Sequence, residues 1–277
     1  MKKVVGRDGR ELEDIGLFGP GSMAWTMHRE PAMLIGGLRA LMVQALHPLA
    51  MAAVTDFSDY KSDVWSRYDR TSSYVTTTIF GSTRQARAAG RRVREVHGPI
   101  RGVDAVTGLP YAADDPELLL WVHAVLVDSF VAAYQRFVRR LPDADLDRYV
   151  GELVRQAELV GLDAARVPPT WAGNQAFLAS LRPALRSTPA AIEALDTILH
   201  PPLPAWRRPF WEVAGRAAVS IMPGYALSLY GLRRRPLLDR AVRPMVAHGS
   251  WAARVFLKPP PVLREARRRA AVRGRRL

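Results

Sequence analysis

Apolar residues recur at helical spacing along most of the chain. Glu30 and Pro31 open an apolar stretch that runs through residue 54, with Pro48 set to kink or restart it, because proline removes a hydrogen-bond donor and crowds the preceding turn. Residues 61–80 predict a second helix ended by Gly81, and residues 82–97 a third ended by Gly98 and Pro99. The segment RGVDAVTGLPYAADD reads as a loop from its Gly, Pro and Asp content. Asp114 or Asp115 then caps a long helix with Pro116 at its first position and Arg139 and Arg140 at its end, where the helix dipole favours cations. Further helices are expected over 143–161, 169–181, 188–200, 205–230 and 237–252, separated by Pro-rich joints.

The strand-like run is YVTTTIF, with five successive β-branched residues from Val75 to Ile79. It has no partner strand of comparable strength nearby, so it is read as helix, with packing overriding propensity. No repeat and no interdomain linker interrupts the pattern. The expected architecture is a single all-α globular domain over 18–260, preceded by an extension at 1–17 and followed by an Arg-rich tail at 261–277.

With 277 residues, of which 48% are hydrophobic, the chain can bury a full core. It contains no cysteine, which excludes disulfides, thiolate zinc, iron–sulfur clusters and a cysteine nucleophile. The N-terminus MKKVVGRDGRELEDIG carries charges throughout and lacks the apolar segment of a signal peptide, so a cytoplasmic location is expected. The longest uncharged run of the first helical region, residues 40–55, holds sixteen residues including Gln44, His47 and Pro48. That falls short of the roughly 18–20 apolar residues a bilayer span requires, and no transmembrane helix is expected.

The formal charge of +14 is unevenly spread: residues 233–277 carry fourteen Lys and Arg against Asp239 and Glu265, a net of +12. Such a block favours acidic phospholipid, nucleic acid or an acidic partner, and it suggests peripheral contact with the inner face of a membrane. Nucleic acid fits worst, because the tail lacks aromatic residues for base stacking and no recognition motif precedes it. A solvated, frayed end explains the same composition.

Candidate chemistry centres on isolated histidines and paired arginines. Ala86, Gly90, Val93 and His97 share one side of a helix, and small residues beside a histidine leave room for something flat and wide; a histidine favoured by the helix C-terminal dipole is the plain alternative. His123 lies among Leu119, Leu120, Leu126, Val127 and Phe130, where an imidazole is buried and neutral, either as a satisfied core group or as part of a cofactor pocket. His47 precedes Pro48, and either it or Gln44 can satisfy the carbonyl that the proline frees. Arg67, Arg70 and Thr71 form R-x-x-R-T, which offers two guanidinium forks and a hydroxyl to carboxylates or phosphates, or simply ion-pairs with Asp63 and Asp69. Motifs for zinc peptidases, di-iron bundles, P-loops, dinucleotide folds and serine hydrolases are absent from the sequence. A haem suits what remains, since it needs one axial histidine, space and cations for its propionates.

At these residues the sequence resembles the latex-clearing protein (rubber oxygenase)/MpaB oxygenase family, through FGPGSMAW, GGLRALMVQALHP, R-x-x-R-T followed by YVTTTIFG, VREVHGPIRG and YAADDPELLLWVHAVLVDS. The resemblance spans about Phe18 to Pro260. It implies an all-α fold holding haem b, with His97 as the iron ligand. In the rubber oxygenases an R-x-x-K-T helix lies over the haem, its arginine and threonine holding the cofactor and its lysine able to cap the iron. Those positions match Arg67, Thr71 and Arg70, and the last departs from the pattern, because arginine stays protonated and has no lone pair to give iron. His123 matches a position near the haem, and His47 is a further candidate for the pocket. Arg70, Thr71 and His123 are the residues expected to face dioxygen and substrate. The implied activity is a haem-dependent oxygenase acting with dioxygen on a hydrophobic, isoprenoid or lipid-like substrate, as in members that cleave carbon–carbon double bonds. The alternative is a non-catalytic haem- or lipid-binding protein that associates with membranes.

Overall fold

The computed structural model describes residues 13–57 and 64–276. Among them the chain forms thirteen α-helices and one two-stranded hairpin, an all-α fold as the periodicity predicts. The short α1 (Met23–His28) is capped by the Ser22 hydroxyl, and its first amides, those of Met23 and Ala24, donate to the Glu152 carboxylate at 3.1 and 2.8 Å. An anion at a helix N-terminus satisfies the unpaired amides and opposes the helix dipole.

The apolar stretch of residues 31–54 divides as Pro48 requires, into α2 (Met33–Gln44) and α3 (Pro48–Phe57), bent by 101°. His47 sits at that corner. α2 lies along α6 (Pro116–Phe137), whose N-cap is Asp115 and whose first residue is Pro116. The contact is close because Gly36 has no side chain: a Cβ there would stand 2.7 Å from the Phe130 ring. α6 is the one described helix long and apolar enough to cross a membrane. Most of that stretch is buried inside the domain, against α2, α7 (Asp143–Leu159) and α8 (Trp171–Ser180).

The β-branched run is helical, within α4 (Val64–Phe80). Val75 and Ile79 are buried, while the Thr76 and Thr78 hydroxyls bond back to the carbonyls of Ser72 and Val75 at 2.9 and 3.0 Å. This backbonding lets threonines sit in a helix they disfavour, and packing supplies the remainder. α5 (Thr83–His97) begins with a capping box between Ser82 and Gln85. The predicted start of the second helix near residue 61 lies outside the described residues.

Three expectations need correction. The supposed loop after His97 contains an antiparallel hairpin, β1 (Arg101–Val103) with β2 (Pro110–Ala112), too short for its alternation to stand out in sequence. The single helix expected over 205–230 breaks at Met222 and Pro223 into α10 (Arg208–Ser220) and α11 (Gly224–Leu229), which follow α9 (Pro189–Leu199). Lastly, the Arg-rich segment is not frayed. After α12 (Pro236–Phe256) it forms α13 (Pro261–Arg276), which packs on α4 with Leu263 and Ala266 buried and the Arg269 guanidinium donating to the Phe80 carbonyl at 2.7 Å.

Candidate functional site

α4 and α5 form an antiparallel helical hairpin through the tight turn at Gly81. Burial pushes the hydroxyl of Tyr74 in α4 up, and the Arg94 cation of α5 partly offsets this. Arg70 is exposed and donates to the Ser66 hydroxyl one turn away at 2.8 Å; Thr71 is half-buried. The side chain of Arg67 lies outside the described residues.

His97 is half-buried at the end of α5. Desolvation holds its pKa below the ordinary value, against the opposing pull of the Asp114 carboxylate. The ring is thus neutral at pH 7 and makes no hydrogen bond among the described residues. The chain turns straight into the hairpin, with Ile100 N–H donating to the His97 carbonyl and Ala113 N–H to that of Ile100, each at 3.0 Å. Arg101 grips Asp114 with both guanidinium nitrogens, at 2.6 and 2.9 Å.

The next residue, Asp115, caps α6 through the amides of Glu117 and Leu118. Its charge pulls upward on the pKa of His47, but burial dominates and lowers it. The His47 ring lies 5.8 Å from Trp121, and its Nδ1 is buried without a hydrogen-bond partner. His123, two turns into α6, is buried, and desolvation alone pushes its pKa down to about 4. Its ring also lacks a hydrogen bond among the described residues. Asp114 thus acts on His97 and Asp115 on His47, and His123 lies further along α6.

The small face of α5 does something other than expected. Ala86 and Gly90 are buried, Gly90 against α7, where the Leu159 carbonyl approaches it and also accepts from Arg94. Their small size serves helix contact, so room for a flat ligand does not come from these two residues.

Sequence reasoning passed over His28, whose Nε2 is 2.9 Å from the Tyr149 hydroxyl and whose ring packs 4.4 Å from Phe130. Burial pushes its pKa down to about 3. It also missed the Tyr111 hydroxyl donating to Asp56 at 2.5 Å, which ties β2 to the end of α3. Both pairs join residues far apart in sequence, where helical spacing carries no signal.

The donor set fits a haem. Unpartnered neutral imidazoles, including one orphaned buried nitrogen, are what a site built to receive a ligand presents, since a buried polar atom left without a partner is costly. No cluster of three or more metal-binding side chains exists among the described residues, and a haem needs a single protein ligand.

No curated protein matches the chain in sequence. A solved structure of latex clearing protein LCP in the closed state shares the fold, with a TM-score of 0.60 and 18% identity over 90% of this chain and 73% of that one. The model of the ER-bound oxygenase mpaB/B'/rubber oxygenase catalytic domain matches residues 25–256, and the chain belongs to that family of oxygenases.

Proposed function

We propose that this oxygenase-family protein uses haem b and dioxygen to cleave a carbon–carbon double bond in a hydrophobic, isoprenoid or lipid-like substrate. The observation that carries the reading is His97: neutral, half-buried and without a hydrogen-bond partner for its ring among the described residues, at the end of the helix that packs on α4, which bears the R-x-x-R-T segment.

In this reading His97 holds the iron, and when bound the haem supplies the activation of dioxygen. The cations of Arg67 and Arg70 would meet propionates, whose planar carboxylates match guanidinium forks. Thr71 offers a hydroxyl on the same helix. His123 and His47, both neutral at pH 7, provide uncharged polar surface in an otherwise apolar wall, so neither draws water in as an imidazolium would. Arg70 carries no lone pair, so it cannot close the iron as a lysine could.

The test is the ultraviolet–visible spectrum of protein produced with haem precursor, before and after dithionite. A Soret band that shifts on reduction is expected, and it should be lost or displaced in His97→Ala but kept in His200→Ala, an exposed histidine paired with Asp196. Unchanged haem content and spectrum in His97→Ala removes the proposed ligand. Haem binding without dioxygen uptake on polyisoprene or unsaturated acyl probes would favour the non-catalytic alternative.

A further inference from the structure

α12 is amphipathic the wrong way round for a helix that only closes a core. Its inward stripe is narrow, formed by Asp239, Val242, Val246 and Ser250, all buried. Opposite to it, Leu237, Ala241, Met245, His248, Ala252 and Val255 follow one another at three- and four-residue spacing, with Leu238, Trp251 and Phe256 alongside. Apart from His248, whose ring bonds to the Pro244 carbonyl, these are apolar where an ordinary surface helix is polar. Leu237 is 79% exposed, Phe256 73%, Trp251 55% and Met245 49%. Trp251 and Phe256 stand edge to face with centroids 6.0 Å apart, so the aromatic end of the face is a formed unit in the water-exposed state.

Charge identifies what the face meets. From residue 233 to 260 there are seven cations, Arg233, Arg234, Arg235, Arg240, Arg243, Arg254 and Lys258, and one acid. That acid, Asp239, is buried and paired with Arg216 at 2.5 Å. Along α12 the arginines lie between the buried stripe and the apolar face, where long side chains can reach past the apolar residues to an anionic plane. Arg254 pairs with Glu30 and Arg234 donates to the Ser220 and Met222 carbonyls, but a second copy of this chain would still set the remaining cations against each other, since a twofold contact is self-complementary.

We propose that α12 lies flat on an anionic phospholipid bilayer, with Leu237, Met245, Trp251 and Phe256 entering the acyl boundary and Arg240, Arg243 and Lys258 meeting headgroup phosphates, while Arg254 is held by Glu30 at 2.7 Å. This differs from a membrane contact through the Arg-rich segment. α13 has committed Leu263, Ala266 and the Arg269 guanidinium to packing on α4, so its exposed arginines add attraction at a distance and its apolar side stays in the domain. The inference does not depend on the haem reading, because it rests on a surface remote in sequence from His97.

The experiment is flotation of the full chain with vesicles of phosphatidylcholine alone and of phosphatidylcholine with about one-third phosphatidylglycerol. Binding to the second, weakened by salt, is expected, and Trp251→Glu with Phe256→Glu should lower partitioning by about tenfold or more. Leu237→Glu, at the most exposed of these positions, should act in the same direction, and circular dichroism should show each variant folded. Arg264→Glu with Arg268→Glu in α13 should cost far less. The proposal is overturned if the wild type stays unbound, if the α12 variants float like the wild type, or if only the α13 variant loses binding. It is equally overturned if sedimentation shows a dimer that Trp251→Glu splits while vesicles bind neither form.

Discussion

Gly90 of α5 and Leu159 of α7 are so close that a Cβ at position 90 would stand 2.5 Å from the Leu159 carbonyl oxygen and 2.8 Å from its Cβ. The obstacle is largely backbone, which cannot rotate away as a side-chain tip would. Gly90→Ala should therefore destabilise the protein by about 1–3 kcal/mol through overpacking, even though alanine favours helix by about 1 kcal/mol. Gly37 in α2 has open space around its Cβ direction. Gly37→Ala should show the opposite sign, a gain of about 0.5–1 kcal/mol. Urea midpoints of the two variants decide this, and a stabilised Gly90→Ala would refute the close approach.

The same pair shows how far the sequence could be read. Apolar periodicity placed the long helices within a few residues, and Pro48 and Pro116 marked two of their starts because such signals act locally. The hairpin at Arg101–Ala112 escaped because three-residue strands carry too few alternations. Ala86 and Gly90 were visible as small residues, yet whether that space holds a cofactor or a neighbouring backbone depends on α7, which lies more than fifty residues away in sequence. His97, His47 and His123 were each visible as candidates. That Asp114 acts on His97 and Asp115 on His47 is a matter of tertiary folding, as is the outward apolar face of α12, which in sequence reads like any amphipathic helix.

Arg39 of α2 is buried, and its guanidinium donates to the Asp128 carboxylate and Ser129 hydroxyl at 2.6 Å each and to the Ile221 carbonyl at 2.9 Å. A buried cation that loses its counter-ion retains its desolvation cost. Asp128→Ala should thus cost about 3–5 kcal/mol, whereas Arg39→Met with Asp128→Leu should recover much of the loss by removing both charges. Denaturant unfolding of Arg39→Met, Asp128→Leu and the double gives the coupling, and strict additivity would contradict it.

His123 makes stability depend on pH in a set direction. In the unfolded chain its imidazole takes up a proton near pH 6.5, while in the fold it stays neutral down to about 4. The unfolded state therefore binds more protons between those values, and stability falls as pH falls through the window, by up to about 3 kcal/mol in total. Above pH 6.5 this contribution is flat. His28 acts in the same direction, down to about 3. Urea unfolding of wild type and His123→Leu between pH 4.5 and 7 should give parallel curves if His123 is irrelevant, and a shallower acid slope in the variant if burial suppresses its charge.

α13 is the part of the chain whose composition most favours reading it as a tail, and its packing argues otherwise. Leu263 is 4% exposed and Ala266 1%, both in the main core cluster, and the Arg269 and Arg273 guanidinium groups donate to the carbonyls of Phe80 and Glu13. Leu263→Ala should cost about 2–4 kcal/mol, the range for a buried leucine whose cavity cannot fully collapse. Arg267→Ala, on the exposed side, should stay within about 0.5 kcal/mol of the wild type. Thermal melts separate the possibilities: a solvated tail leaves both variants unchanged, whereas a docked helix lowers the melting temperature only for Leu263→Ala, because only that side of α13 replaces water with core.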